Sequence, residues 1–292
     1  MNKQLDDFIN YLEYERNYSN NTIIAYKNNI LQLIDYLDNN KIKDIRKVDY
    51  DTIRTYLSYI HSKYEAKSIS RMISSMRSFF KYLKSNKVIT NNPMLLISNP
   101  KVEKKLPKYL TINEVEKMLN APDMSDTLGI RDAFILELLY VSGIRVSELV
   151  NIKLSDVETS EKKIKILGKG SKERYVLYGS RCKDLLNKYM SVRNIFLKYP
   201  NEYLILSKTG RKLNTREVRN IINRIKTKAG VDISISPHTF RHTFATHMLN
   251  EGADLRAVQE LLGHENLSTT TIYTHLTNEK LRRTYLNTHP RA

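Results

Sequence analysis

Apolar residues recur at helical spacing through the first hundred positions. Ile23, Tyr26, Ile30, Leu33, Ile34 and Leu37 form one 3.6-residue stripe, and Ser19 or Asn20 can cap its start. Ile53, Tyr56, Leu57 and Ile60 predict a second helix with Asp51 as its cap. Ile69, Met72, Ile73, Met76, Phe80 and Leu83 predict a third, and an earlier helix around residues 4–16 completes a small bundle. The helix bearing Met76 also carries Arg77, Lys81 and Lys84, a basic stripe about a quarter-turn from the apolar one. That stripe can lie against phosphates or form an ordinary solvated face.

Asn91-Asn92-Pro93 ends this bundle, because proline cannot continue a helix. Residues 99–108 are charged, aperiodic and proline-bounded, the pattern of a linker between domains at 1–98 and 109–292. Beyond it, Thr111-Ile112-Asn113-Glu114 is a capping box. A long helix then runs through Phe134, Leu136, Leu138, Leu139 and Tyr140 to Gly143. Lys163-Ile164-Lys165-Ile166 alternates with period two, and Arg174 to Tyr178 can pair back on it across the Gly-rich turn Gly168-Lys169-Gly170-Ser171-Lys172. Helical segments resume at Arg181, and Tyr203-Leu204-Ile205-Leu206 is a short strand candidate. The fold class is mainly α with a small β-sheet.

Composition sharpens the picture. Forty-eight Lys and Arg face 31 Asp and Glu, a formal charge of +17, with +5 in residues 1–100 and +12 in the rest. A surplus of that size on both halves suits one long polyanion. Cys182 stands alone, so no intrachain disulfide and no Cys-based metal site can form. The N-terminal stretch has no apolar signal core, and no apolar run is long enough to span a bilayer. A reducing cytoplasm is the simplest setting.

Four short stretches carry chemistry. Ser236-Pro237 opens a helix that sets His238 and Arg241 three apart on its first turn, where the helix N-terminus attracts an anion. His242 and His247 turn away from that face and read as structural. Gly143-Ile144-Arg145-Val146-Ser147-Glu148-Leu149 puts Arg145 just past a helix end, able to clamp a phosphate or to pair with Glu148. Lys169 sits at the Gly-rich hairpin tip, with Lys172 and Arg174 beside it as backbone-phosphate contacts. Leu262-Gly263-His264 ends one helix, and Ser268 or Thr269 caps another leading to Tyr273. Taken singly, each stretch reads more simply as structure, and spacing alone does not single out Tyr273 among 19 tyrosines.

Together, in order, spacing and flanking residues, the four stretches resemble the catalytic region of the tyrosine recombinase (phage integrase) family. The resemblance covers residues from about 110 to 292. The first bundle looks like that family's SAM-like core-binding domain, notably over Arg16 to Tyr26. Gly168 to Arg174, His238 to His247 and His289-Pro290-Arg291-Ala292 carry a likeness to bacterial Xer recombinases.

The resemblance implies a site-specific recombinase that cuts and rejoins DNA through a 3′-phosphotyrosyl ester on Tyr273 and a Holliday junction. Arg145 and Arg241 would grip the nonbridging phosphate oxygens, with His264 adding a hydrogen bond. His238 sits where it could take the tyrosine proton, and Lys169 is implied as the acid for the leaving 5′ oxygen. Glu148 would orient these basic groups. The set holds two Arg, two His and a Lys with no carboxylate cluster, so the expected chemistry needs neither metal nor other cofactor, and the ester conserves bond energy without ATP. Helix 215–229, with Arg216, Arg219, Arg224, Lys226 and Lys228, is the leading candidate to face a DNA groove.

The implied partner is double-stranded DNA bearing a specific recombination site, held by a homo- or hetero-tetramer. A second Xer recombinase and a septal DNA translocase are family possibilities. Residues from Thr277 to Ala292 would dock on a neighbouring protomer, with Ile272, Leu276, Leu281, Tyr285 and Leu286 as apolar contacts; packing within their own domain is equally compatible. Chromosome dimer resolution is the expected role. An integrase or resolvase of a mobile element, a topoisomerase-like relaxing enzyme and an inactive sequence-specific DNA-binding protein are the alternatives. The last is opposed by the intact set Arg145, Lys169, His238, Arg241, His264 and Tyr273.

Overall fold

The computed structural model describes residues 1–101, 108–168, 173–263 and 278–292. The chain divides into two compact units, Met1–Lys105 and Leu106–Ala292. Most of the linker stretch lies outside the described residues.

The first unit is helical. α1 (Asn2–Asn10) runs into a short π-helical turn at Tyr11–Glu15; α2 (Asn20–Asn39), α3 (Tyr50–His61) and α4 (Ala66–Ser85) follow. The expected apolar stripes bury Ile30, Leu33 and Leu37 on α2, Ile53 and Tyr56 on α3, and Ile69, Met76, Phe80 and Leu83 on α4 in one core. Between α2 and α4, buried Asn29 donates to the Ser75 hydroxyl at 2.9 Å, which satisfies both groups away from water. Ser19 caps α2 as expected. α3 corrects the sequence reading: its cap is Asp49, whose Oδ1 accepts the Thr52 N–H at 2.8 Å. The helix starts at Tyr50, so Asp51 falls in the first turn, where its charge still complements the helix dipole. The unit's core also continues past Pro93, because Met94 and Ile97 fold back into it.

The second unit is built around α6 (Thr127–Ser142), which is buried on every side from Ala133 to Ser142. α5 (Ile112–Asn120) precedes it behind the expected Thr111–Glu114 capping box. A one-turn helix α7 (Val146–Leu149) follows, then a three-stranded antiparallel sheet in the order β1 (Val157–Glu158), β2 (Lys163–Leu167), β3 (Glu173–Leu177). The β2–β3 pairing sets Ile164 opposite Val176 and Ile166 opposite Arg174, as the alternation predicted; β1 was not foreseen. α8 (Ser180–Phe196), α9 (Thr215–Ala229), α10 (Pro237–Asn250), α11 (Leu255–Leu262) and α12 (Asn278–Thr288) complete the unit.

Residues 203–206 are not a strand. They make only isolated bridges, Lys153 with Tyr203 and Leu206 with Lys212. Side chains replace the missing ladder: Arg193 donates to the Leu204, Asn201 and Tyr203 carbonyls at 3.0, 2.8 and 2.6 Å, and the Tyr189 hydroxyl accepts from the Leu206 N–H at 3.0 Å. Together with backbone bonds from the Leu204 N–H to the Ile152 carbonyl and from the Leu213 N–H to the Ile205 carbonyl, these satisfy the buried backbone without a regular ladder.

α10, α11 and α12 share a second, smaller core of Phe244, Met248, Val258, Leu261, Leu262 and Tyr285. Of the residues proposed to reach a neighbour, Tyr285 is buried in this core, Leu281 is packed against it, and Leu286 is exposed. Ile272 and Leu276 lie outside the described residues. The segment after α12 is tied inward: Arg291 meets the buried Glu137 carboxylate at 2.7 Å, and a Cβ on Gly179 would sit 2.2 Å from the Arg291 carbonyl oxygen. Among the described residues, then, the last segment packs on its own unit. No helix among them is long and apolar enough to cross a membrane.

Two histidines are structural. His247 is buried, donating from Nε2 to the Leu110 carbonyl at 2.9 Å and accepting the Tyr140 hydroxyl at Nδ1, 3.0 Å away. His289 stacks on Tyr285 and Phe244 and accepts the Arg291 backbone N–H at Nδ1. Burial pushes His289 from 6.5 down to about 3 and lowers His247 as well. The folded state therefore binds fewer protons than the unfolded chain below pH 6.5. Stability should fall as pH drops from 6.5 toward 3, by up to ~1.4 kcal/mol per pH unit for His289. Urea midpoints at pH 7 and pH 5 test this. His289→Phe should flatten the dependence, and an unchanged acid loss would show that other groups carry it.

Candidate active site

Three helix ends converge on one corner of the second unit. α6 ends at Gly143, whose positive φ of 57° suits glycine. A Cβ there would stand 2.7 Å from both Leu262 and Phe244 side-chain atoms. The tight approach lets α6, α10 and α11 meet. α11 ends at Gly263 in the same left-handed conformation, φ 65°. α7 begins at Arg145, which serves as its N-cap.

The carbonyls at these helix ends have no partners within their own helices and carry the negative pole of the helix dipole. Arginines take them up. Arg241, buried on the first turns of α10, donates from Nη1 to the Gly143 carbonyl at 2.8 Å and from Nη2 to the Leu262 carbonyl at 2.7 Å. Arg145 donates from Nη2 to the Gly263 carbonyl at 3.1 Å. Its side chain stays 35% exposed, so part of the guanidinium remains open to a ligand.

Glu148 binds the group together. Its Oε1 accepts Arg145 Nη1 at 2.9 Å and Arg174 Nη1 at 2.8 Å. Its Oε2 accepts the Arg145 backbone N–H and Arg174 Nη2, both at 2.9 Å. Burial pushes the Glu148 carboxyl up, but the bonds from Arg174 and Arg145 outweigh it and hold the group below its ordinary 4.5. Burial and the neighbouring Arg145 push the Arg241 guanidinium down to about 10, with Arg174 adding to the repulsion and Glu148 opposing it. Among the described residues, three guanidiniums and one carboxylate leave an excess positive charge, which an anion would relieve.

The structure joins Arg145, Arg241 and Glu148 at one corner, with Arg145 paired to Glu148 while part of its guanidinium stays exposed. His238 lies on the first turn of α10, exposed to solvent. Lys169, Lys172, His264 and Tyr273 lie outside the described residues. Arg174, expected as a backbone-phosphate contact, is instead turned inward onto Glu148 with its side chain 16% exposed. The signal was present: on a strand, Arg174 shares a face with buried Val176. Among the described residues no group of three His, Cys, Asp or Glu side chains could hold a metal ion.

The remaining basic candidates separate by exposure. On α9, Arg216 and Arg219 are exposed, whereas Arg224 pairs with the buried Asp132, itself held by Arg131. In the first unit, Arg77 is half-buried and donates to the Ile97 carbonyl at 2.8 Å, while Lys81 and Lys84 are exposed. Arg77 and Lys81 line a groove with Arg16, Tyr11, Tyr18 and Tyr82.

Residues 108–280 match the phage integrase family and residues 5–87 match the phage integrase N-terminal SAM-like domain. The chain belongs to the phage integrase family. It is similar to the tyrosine recombinase XerC of Anoxybacillus flavithermus, 45% identical over 297 residues, covering 100% of this chain and 99% of that protein. XerC of Bacillus subtilis is 43% identical over 290 residues, 98% of this chain and 95% of that protein. The crystal structure of XerH site-specific recombinase bound to palindromic difH substrate, a post-cleavage complex, superposes with a TM-score of 0.74 at 25% identity, covering 92% of this chain and 80% of that one. This phage integrase family member is a site-specific tyrosine recombinase of the Xer type.

Replacing Glu148 by Gln would leave Arg145 and Arg174 facing an amide in a largely buried site. A loss of about 3 kcal/mol is expected at pH 7, read from denaturant midpoints. A wild-type midpoint in the Gln variant would mean that the two arginines need no counter-charge.

Proposed function

We propose that this recombinase exchanges strands at a specific duplex DNA site through a 3′-phosphotyrosyl ester on Tyr273. The observation that carries the reading is the corner itself. Arg145 and Arg241 are fixed by Glu148 and by three backbone carbonyls, before any ligand arrives, into one site with surplus positive charge. Such preorganised donors stabilise charge developing on a phosphate without reorganising during the reaction.

In the step proposed, the Tyr273 oxygen attacks the scissile phosphorus and its proton passes to His238. Arg145 and Arg241, with His264, hold the nonbridging oxygens. The bond from phosphorus to the 5′ oxygen breaks, and Lys169 supplies the proton to that leaving oxygen. The arginines supply the positive charge that a metal ion supplies in other phosphoryl-transfer sites, and the ester retains the energy for rejoining. Residues 1–98 would act as a core-binding domain and 109–292 as the catalytic domain, joined by 99–108. Arg77, Lys81, Lys84, Lys172, Arg216 and Arg219 remain the candidate DNA contacts. Four protomers, alone or with a second Xer recombinase, would assemble on two duplexes and pass through a Holliday junction. Chromosome dimer resolution in the cytoplasm, in concert with a septal translocase, is the role the Xer likeness supports.

Covalent trapping tests this reading. On nicked suicide duplexes carrying candidate chromosomal sites, with chelator and without ATP, a denaturation-resistant adduct should form. Tyr273→Phe should abolish it while leaving DNA affinity largely intact, and Arg241→Ala should slow it by about 10²–10³-fold. Adducts persisting in the Phe variant would move the nucleophile elsewhere. An adduct that requires magnesium would sink the arginine-based mechanism.

A further inference from the structure

α10 is held along both edges of its buried face. Phe240, Phe244 and Met248 form the middle of that face and pack into the two cores of the unit. Arg241 stands at one edge, bonded to the Gly143 and Leu262 carbonyls. Thr243 comes two residues later, about 200° around the helix, at the other edge, and His247 lies one turn beyond it. Both are buried.

Thr243 and His247 close on a single residue. The Thr243 hydroxyl donates its proton to the Thr239 carbonyl of its own helix at 2.8 Å and accepts the Leu110 backbone N–H at 2.9 Å. His247 donates from Nε2 to the Leu110 carbonyl, also at 2.9 Å. The Tyr140 hydroxyl, 3.0 Å from His247 Nδ1, fixes the tautomer that makes this bond. Tyr109 sets its ring edge-on to His242 and His247, with centroids 6.2 and 6.3 Å apart. Leu110 is itself fully buried, and both of its backbone groups are spent on side chains 133 and 137 positions away.

Apolar packing and these bonds constrain α10 differently. Apolar contact is non-directional, so it resists separation of a helix more than turning. Hydrogen bonds are directional, and bonds on opposite edges of a helix fix its rotation. Side-chain groups lie roughly 5–6 Å from a helix axis, so a turn of about 10° displaces one by about 1 Å. A displacement of that size at a reacting centre costs on the order of 10²-fold in rate. The clasp on Leu110 therefore bears on where the Arg241 fork stands, although its bonds are made on the far edge of the helix.

We propose that Thr243 and His247 are positioning residues, gripping the Leu110 backbone so that α10 presents Arg241 to the scissile phosphate at a fixed angle. This rests on the reading of Arg241 as a phosphate ligand given above, and it adds the residues that aim that ligand.

A double-mutant cycle tests the assignment, because a group that acts through Arg241 has nothing to act on once Arg241 is gone. The readout is the rate of adduct formation by the full chain, at saturating protein, on nicked suicide duplexes carrying candidate chromosomal sites. Thr243→Val keeps the shape of the side chain and removes the acceptor. With Arg241 in place it should slow adduct formation about 10-fold or more. In the Arg241→Ala background it should slow it by less than about twofold. Thr243→Ser, which restores the hydroxyl, should return the rate to within about threefold of wild type. His247→Phe removes the donor to the Leu110 carbonyl and should reproduce the valine pattern; it is the second probe if Thr243→Val does not fold.

A merely structural role would slow both backgrounds by the same factor, since loss of folded protein does not depend on Arg241. Equal slowing in both, or wild-type rates for Thr243→Val and His247→Phe, would overturn the proposal and leave the phosphate reading of Arg241 intact. Arg241→Ala at the wild-type rate would overturn that reading and this proposal together, as would a wild-type chain that forms no adduct on any site.

Discussion

The site depends on one buried carboxylate. Glu148 accepts four hydrogen bonds, two from Arg145 and two from Arg174, and so joins the start of α7 to the β2–β3 hairpin. A lone buried carboxylate is costly, as is a buried guanidinium; each is tolerable here because the other is present. The balance is incomplete by design of the fold. Among the described residues Arg241 pairs with no carboxylate, and its guanidinium donates to the carbonyl ends of α6 and α11. Partial charges from helix termini offset part of a full charge, and the remainder is what a phosphodiester would meet.

That corner exists because two glycines let three helices close on it. Gly143 turns the chain from α6 toward α7 at a point where Leu262 and Phe244 leave no room for a side chain. Gly263 ends α11 against the Arg174 stem. The rigidity behind them comes from apolar packing: α6 is enclosed on all sides, and α10, α11 and α12 close a second core around Phe244 and Tyr285. Neutral His247, with both ring nitrogens hydrogen-bonded, and His289, bonded through Nδ1, join this packing, so these buried histidines contribute structure rather than charge. The same packing accounts for the last described segment lying on its own unit, through Arg291 and Glu137.

The basic surplus divides by the company each side chain keeps. Arg131, Arg193 and Arg224 are consumed by buried carboxylates or carbonyls and serve the fold. Arg216, Arg219, Lys81 and Lys84 are exposed and stay available to a polyanion. Net charge suggested a polyanionic partner but could not make this separation, because charge is a property of residue type and availability is a property of packing.

Much was determined by sequence alone. Helical periodicity located the helices, the Thr111–Glu114 and Ser236–Pro237 signals located two of their starts, and Gly143 and Gly263 located two ends, because these depend on interactions within a few residues. The motif order was enough to recognise the family. Tertiary structure decided what local rules do not reach. It chose Asp49 over Asp51 as a cap, since the start of α3 depends on how far its apolar stripe is pulled into the core. It replaced a strand at 203–206 with isolated bridges and side-chain bonds from Arg193 and Tyr189. It turned Arg174 from solvent to Glu148, and it brought Arg145, Glu148 and Arg241 to one point. A contact between residues distant in the chain depends on the path of everything between them, and only the packed structure specifies that path.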